Sequence, residues 1–231
     1  MKLLIVIPAY NEAENIERVV ENLRKVCPDF DFLIVNDGSK DKTADICIEN
    51  RYSMLNLPVN LGLAGAFQAG IKYAYLHGYD AAIQFDGDGQ HDPVYIGTLL
   101  QCMEDGNKDI VIGSRFLKKR KPQTLRMLGS RLICTAIKIT TGKTITDPTS
   151  GMRLFNRKML EHFALNINYG PEPDTISYLL RCGASVAEVQ VDMYERVAGT
   201  SYLTMGRSIR YMLNMAISIL FVQLFRKRRV L

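Results

Sequence analysis

Through the first half of the chain, apolar runs of strand length alternate with stretches whose apolar residues recur at helical spacing. Leu3–Ile7 is a continuous apolar run, and Phe32–Val35, Met54–Leu57, Ala81–Phe85 and Asp109–Ile112 repeat the type. Between them, Glu12–Val26 puts Ile16, Val19, Val20 and Leu23 on one side of a helix. Asp41–Arg51 and Gly62–His77 also read as helices. Buried strands separated by amphipathic helices predict an α/β fold with a Rossmann-like, mainly parallel central sheet flanked by helices. Beyond Ser114 the pattern loosens. It predicts a helix over Thr124–Thr141, a strand over Met152–Phe155, a helix over Asp174–Cys182, a last strand over Val186–Val191 and a helical tail from Arg207 to Leu231. One domain over residues 1–204 and an amphipathic appendage over 205–231 account for the length.

Ligands of such sheets bind beyond the carboxyl ends of the strands, and three of those ends are acidic. The first strand runs into Pro8-Ala9-Tyr10-Asn11-Glu12, the second into Asn36-Asp37-Gly38-Ser39, and the central one into Asp86-Gly87-Asp88-Gly89-Gln90-His91-Asp92. Carboxylates converging on one crevice repel each other and lose hydration, so they need a partner. In Asp86-Gly87-Asp88 the glycine lets the backbone bend until both carboxylates face one cation. Hard oxygen donors select Mg²⁺ or Mn²⁺ over zinc, and such an ion bridges a diphosphate. His91 fits a supporting role better than a ligand's. Asp37 suits a ribose or base edge, although Asp37-Gly38-Ser39 is also an ordinary turn ahead of a helix. Asn60-Leu61-Gly62-Leu63-Ala64-Gly65 lacks the Lys-Ser/Thr of a phosphate loop, so its small residues are assigned to close helix packing.

These segments together resemble the GT-A glycosyltransferases of family two, in the dolichol-phosphate mannose synthase and polyprenyl-phosphate glycosyltransferase branch. The motifs that carry the resemblance are Pro8–Glu12, Asn36–Asp41, Asp86–Pro93, Gly113-Ser114-Arg115 and Asp147–Arg153, in that order. The resemblance implies that Pro8, Ala9, Tyr10, Glu12 and Asp37 hold the nucleotide of a nucleotide-diphosphate sugar. It implies that Asp86, Asp88 and Gln90 surround the metal, Mg²⁺ or Mn²⁺, and that Arg115 meets phosphate. Arg126, Ser130 and Arg131 match a pattern implicated in gripping the acceptor's phosphate. A guanidinium and a hydroxyl one helical turn apart make a sensible anion clamp. Arg153, assigned with them to the acceptor's phosphate, falls in a segment that lines the site in relatives, and Asp147 is the candidate to orient or deprotonate the acceptor. Glu172 and Asp174 form a further acidic pair, suited to sugar hydroxyls or simply to a helix start. Arg196 opens an Arg-x-x-Gly-x-Ser loop that closes over the diphosphate in relatives. There Tyr202 stands where a lysine is common, so one phosphate contact is missing.

Composition refines this only slightly. The chain is 47% hydrophobic and 23% charged, with a formal net charge of +5, which suits anionic ligands or an anionic membrane. Cys27, Cys47, Cys102, Cys134 and Cys182 form no CxxC pair and read as reduced, mostly buried thiols of a cytosolic protein. The first apolar run stops at Pro8, too short for a signal-peptide core. In the tail, Tyr211–Phe225 is apolar apart from Asn214, Ser218 and Gln223, and Arg226-Lys227-Arg228-Arg229 follows. Fifteen helical residues rise about 22 Å, short of a hydrocarbon core of roughly 30 Å. The expectation is a helix lying on the cytoplasmic face of an anionic membrane, with docking on its own domain, a second copy of the chain or a membrane-protein partner as the alternatives. No nucleic-acid partner is expected.

The activity implied is inverting transfer of a sugar to a polyprenyl phosphate, undecaprenyl or dolichyl, feeding cell-surface polysaccharide or glycoconjugate synthesis. The rivals are transfer to a glycan hydroxyl, which needs a general base far more than an ionised phosphate does, and a non-catalytic membrane-recruitment subunit. A nucleotidyltransferase is disfavoured because no Gly-rich basic signature lies near the first strand.

Overall fold

The computed structural model describes residues 1–166, 170–194, 205–222 and 225–226. Seven strands form one sheet: β1 (Leu3–Ala9), β2 (Asp31–Asn36), β3 (Met54–Asn56), β4 (Ala81–Gln84), β5 (Ile110–Ser114), β6 (Arg153–Asn156) and β7 (Val186–Gln190). Their order is β3-β2-β1-β4-β6-β5-β7. All pairings are parallel except those of β6, which runs antiparallel to both β4 and β5. The expected mainly parallel sheet is therefore present. Its one reversed strand is not visible in the hydrophobic pattern, because strand direction leaves no mark on side-chain alternation.

Period-two alternation divides the core into two layers. Leu4, Val6, Leu33, Val35, Ala82, Ile112 and Phe155 face one side, under α3 (Gly62–Leu76), α5 (Leu125–Thr141), α6 (Arg157–Leu165) and α7 (Pro173–Arg181). Leu3, Ile5, Ile7, Ile34, Ile83, Val111 and Leu154 face the other, under α1 (Ile16–Val26), α2 (Thr43–Glu49) and α4 (Tyr95–Gly106). Phe67, Phe155 and Phe163 pack edge-to-face at centroid separations of 5.2–5.4 Å and join α3, β6 and α6. The sequence pattern does not assign α4 and α6. Each carries only three fully buried apolar residues, Ile96, Leu99 and Met103 in one and Met159, Leu160 and Phe163 in the other. α5 begins and ends where expected. Thr124 caps it by accepting the Met127 N–H at 3.3 Å, and Gly142 closes it at φ 70°.

All five cysteines are free thiols. Cys47 and Cys182 are buried and the other three are half-buried. The tail forms α8 (Met205–Ile217), continued by a π-helical turn over Ser218–Val222. It docks on its own domain, burying Ser208, Met212, Ala216 and Ile219 at helical spacing. Gly129 of α5 admits this contact, since a Cβ there would stand 2.7 Å from the Met212 Cγ. Among the described residues no helix is long and apolar enough to cross a membrane.

Gly70 sets how closely α3 approaches the sheet. A Cβ at this position would lie 2.3 Å from Val6 Cγ1 and 3.2 Å from Val35 Cγ2. Alanine in a helix interior gains about 0.8–1.0 kcal/mol of propensity over glycine, whereas overpacking a closed core costs about 1–3 kcal/mol. Gly70→Ala is therefore expected to be net destabilising, read as a lower midpoint in urea. An unchanged or raised midpoint would contradict this packing.

Candidate active site

The loops after β1 and β2 are tied into one platform. Asn11 adopts φ 55°, and its N–H donates to Ser39 Oγ (3.0 Å) while its side chain accepts the Lys40 N–H (2.8 Å). The Glu12 and Ala13 N–H groups donate to Thr43 Oγ1 (2.9 Å) and Asp41 Oδ2 (3.1 Å). Pro8 and Ala9 end β1 inside the sheet, while Tyr10 is exposed. Glu12 accepts Asn15 Nδ2 at 2.7 Å, and Arg18 continues the chain to Asn15 Oδ1 at 3.0 Å. Asp37 is almost wholly buried and accepts the Leu61 N–H at 2.7 Å. It therefore anchors the entry to α3. Gly38, at φ 65°, lies so close to that entry that a Cβ would sit 2.8 Å from the Asn60 nitrogen.

The acidic turn follows β4. Asp86 Oδ1 accepts Gln84 Nε2 at 3.0 Å, and its backbone N–H donates to His91 Nδ1 at 3.2 Å. The His91 proton therefore resides on Nε2, which faces Asp86 Oδ2 at 3.6 Å. His91 is buried edge-on to Phe85 and stands behind the turn, the supporting place expected for it. Asp88 Oδ1 accepts the Gln90 N–H at 3.1 Å, across Gly89 at φ 76°. Gln90 is bound to Tyr194 through the Tyr194 N–H to Gln90 O (2.9 Å) and Gln90 Nε2 to Tyr194 O (3.5 Å). It thus sits at the root of the segment that carries Arg196, which lies outside the described residues, as do Ser201 and Tyr202.

Among the described residues no three acidic, histidine or cysteine side chains are grouped to hold a metal unaided. Asp86 and Asp88 offer two hard oxygen donors, and the Asp86 side chain is one-third exposed. Asp86 and Asp88 would hold a hard divalent cation such as Mg²⁺ or Mn²⁺, which would need further oxygen ligands from outside these two side chains.

Because β6 runs antiparallel to β4, Gln84 pairs with Arg153, and the loop that leads into β6 abuts the turn that leaves β4. Gly151 lies so close that a Cβ there would be 2.3 Å from Asp86 Oδ2. Gly151, inside the Asp147–Arg153 motif, and Gln84, which has no motif to mark it, both shape the Asp86 carboxylate.

Asp147 is the residue expected to orient or deprotonate the acceptor. Asp147 is fully buried and grips Arg115 in a two-pronged ion pair, with Nε to Oδ2 at 2.6 Å and an Nη to Oδ1 at 2.8 Å. The Arg115 N–H (3.1 Å) and Thr149 Oγ1 (3.1 Å) also donate to it. Burial raises its pKa, but the hydrogen bonds and charge of Arg115 outweigh burial and hold it below the usual carboxylate value. An acid so satisfied is a poor general base.

Arg153, expected at the acceptor phosphate, is fully buried and donates to the carbonyls of Ser150 (2.8 Å) and Pro148 (2.6 Å), so it braces the loop. Arg126 and Arg131 are exposed on α5. Ser130 is buried, and its hydroxyl accepts Lys121 Nζ at 2.8 Å. Arg131 turns back to the Lys121 carbonyl at 3.0 Å. The cation seated on the expected phosphate clamp is therefore Lys121. Its signal in the sequence was the basic run Lys118–Lys121, which does not say which member folds inward.

Replacing Asp147 by Asn leaves Arg115 without its counter-charge, and breaking a buried pair on one side costs about 3–5 kcal/mol. The folded-state pKa of Asp147 is depressed, so its contribution is complete above about pH 4 and is lost as pH falls through the folded value. Denaturation of Asp147→Asn is expected to show a gap from the parent that is constant from pH 8 to pH 5 and narrows only in the acid limb. A gap that is absent at neutral pH, or that widens on acidification, would contradict the pairing.

The family described as Glycosyl transferase family 2 matches residues 4–163. The polyprenol monophosphomannose synthase of Mycolicibacterium smegmatis is 31% identical over 222 residues, spanning 90% of this chain and 83% of that protein. The undecaprenyl-phosphate mannosyltransferase of Micrococcus luteus is 31% identical over 218 residues, spanning 89% of each. A UDP-N-acetylglucosamine–dolichyl-phosphate N-acetylglucosaminyltransferase of Methanococcus voltae is 33% identical, over 69% of this chain and 71% of its own. Among solved structures, glucosyl-3-phosphoglycerate synthase from Mycobacterium tuberculosis, in complex with Mn²⁺, UDP-glucose and phosphoglyceric acid, aligns with a TM-score of 0.71. It is 17% identical, covers 95% of this chain and 79% of that one, and shares the GT-A fold. The acidic turn, the loop laid against it and the full-length likeness agree: the chain belongs to glycosyl transferase family 2.

Proposed function

We propose that this enzyme transfers a sugar from a nucleotide-diphosphate sugar to the phosphate of a polyprenyl lipid, with inversion at the anomeric carbon. The observation that carries this reading is the setting of the cationic cluster. Lys121, Ser130 and Arg126 sit on or against α5, whose outer side is apolar. Leu125, Leu128, Leu132 and Ile139 are exposed there and fall within one narrow helical stripe, beside Gly129, where α8 packs. On α8 and its continuation, Leu213, Ile217, Phe221 and Phe225 recur every fourth residue and are exposed, Phe225 by 88%. An anion clamp rooted in an apolar platform suits a phosphate carried on a hydrocarbon chain. The likeness to relatives named for polyprenyl, undecaprenyl and dolichyl phosphates supports the same acceptor.

Donor binding falls to the ends of β1 and β2, where Pro8, Ala9, Tyr10, Glu12 and Asp37 line the platform. A Mg²⁺ or Mn²⁺ held by Asp86 and Asp88, with Gln90 alongside, offsets charge on the diphosphate. Lys121 and Arg126 orient the lipid phosphate, one of whose oxygens forms the new bond to the anomeric carbon. The bond from that carbon to the diphosphate breaks, and its electron pair leaves with the nucleotide. The attacking oxygen is already ionised and needs no general base. This matches an Asp147 committed to Arg115, and it favours lipid phosphate over a glycan hydroxyl.

The platform also supports a peripheral position on the cytoplasmic face of an anionic membrane. Arg126, Lys138 and Arg210 are exposed around it, and cations flanking an apolar helix face favour such a surface. Leu128→Glu combined with Phe221→Glu is expected to lower co-flotation with phosphatidylglycerol vesicles at least tenfold while nucleotide binding persists. Equal flotation of parent and double variant would remove the membrane reading.

The activity is tested by supplying Mn²⁺, undecaprenyl phosphate and a panel of nucleotide sugars, with product detection by mass. A glycosyl-monophosphate lipid from one donor is expected, reduced at least 100-fold by EDTA or by Asp88→Ala, in line with the loss of a transition-state charge contact. Intact donors throughout, or transfer to glycan alone, would overturn the proposal.

A further inference from the structure

Arg153 holds the loop that meets the acidic turn, and it is itself incompletely held. Its Nε and one Nη fix the Ser150 and Pro148 carbonyls, which lays Gly151 against Asp86. The other nitrogen, Nη1, is buried and makes no hydrogen bond. A buried guanidinium charge is tolerated only where opposite charge faces it. Burial lowers the Arg153 pKa, and the group that most strongly opposes this is Glu172, ahead of Tyr211, Asp147 and Asp86.

Glu172 occupies the N-cap position of α7 but makes no capping hydrogen bond with its side chain. Its carboxylate instead accepts the hydroxyl of Tyr211, which comes from α8. Two turns further on, Ser218 Oγ donates to Asp174 Oδ2 at 2.7 Å. The C-terminal segment therefore grips both acids at the start of α7, and only the Tyr211 grip acts on the acid whose charge most offsets the burial of Arg153.

We infer that Tyr211 and Glu172 are positioning residues of the active site: the Tyr211 hydroxyl fixes the Glu172 carboxylate, Glu172 supplies the negative charge that balances the buried Arg153, and Arg153 fixes the Pro148–Gly151 loop against Asp86. The seating of α8 is thereby coupled to the geometry of the acidic turn. The inference goes beyond the proposed reaction, and it rests on that reading only in taking Asp86 as a metal ligand. If α8 served merely as a cover, Met212 on Gly129 and Ser218 on Asp174 would hold it, and the Tyr211 hydroxyl would be dispensable.

Amide hydrogen exchange on the full chain decides between these. Tyr211→Phe keeps the ring and removes the hydroxyl, and Ser218→Ala removes the other hydrogen bond between the C-terminal segment and α7 without touching Glu172. The expected result is exchange over residues 147–153 at least fivefold faster in Tyr211→Phe and parent-like in Ser218→Ala, with α8 itself little changed in both. The dissociation constant for Mn²⁺ alone, read by electron paramagnetic resonance, is expected to rise at least threefold in Tyr211→Phe and in Glu172→Gln. Parent-like exchange of the loop in Tyr211→Phe, or equal acceleration in Ser218→Ala, would overturn the inference. Failure of the parent chain to bind Mn²⁺ would instead remove Asp86 as a metal ligand, and the exchange comparison would still decide whether Tyr211 holds the loop.

Discussion

β6 lies between β4 and β5 but runs against both, so the chain enters the sheet at the edge from which β4 leaves it. In a wholly parallel sheet only the loops that follow strands reach that edge. The reversal adds a loop that precedes a strand, Thr146–Met152, and delivers it next to Asp86. The fit is tight enough that a side chain at position 151 would push the Asp86 carboxylate aside. Much of the site follows from this contact. Arg153 is buried because it begins the reversed strand, Asp147 is buried because it begins the loop, and Arg115 turns inward because Asp147 is there to receive it.

Charge is segregated along the same edge. The carboxylates of Asp86 and Asp88 lie past β4, while the accessible cations Lys121, Arg126 and Arg131 lie past β5 and on α5. The Arg115–Asp147 pair stands between and is neutral as a unit. Such an arrangement suits two anionic substrates that must meet: a diphosphate taken up through a cation on the acidic side, and a phosphate taken up directly by lysine and arginine on the other. Each charge on the protein is matched to a charge that arrives, which limits the cost of desolvating like charges together.

The alternation of apolar runs made the sheet legible, and Thr124 and Gly142 marked both ends of α5. The acidic turn was legible as well, because Asp-x-Asp after a buried strand has few other uses. The direction of β6 was not, since a reversed strand has the same alternation as a parallel one. With it went the burial of Arg153 and Asp147, which the motif order placed only in a segment lining the site. Lys121 was hidden among four consecutive basic residues, where only the packing of α5 decides which one meets Ser130. The tail showed its amphipathicity but not its allegiance. Its Ser208, Met212, Ala216 and Ile219 face is covered by the domain, and the stripe of Leu213, Ile217, Phe221 and Phe225 is left outside.

The central claim is that a lipid phosphate oxygen displaces a nucleotide diphosphate at the anomeric carbon, directly and once. It is tested most directly with undecaprenyl phosphate carrying ¹⁸O in its phosphate, supplied with the active donor, followed by NMR of the glycolipid. The account predicts a product in which the sugar-bridging oxygen carries the label and the anomeric configuration is opposite to the donor's. Retained configuration, or sugar joined through an unlabelled oxygen, would contradict it.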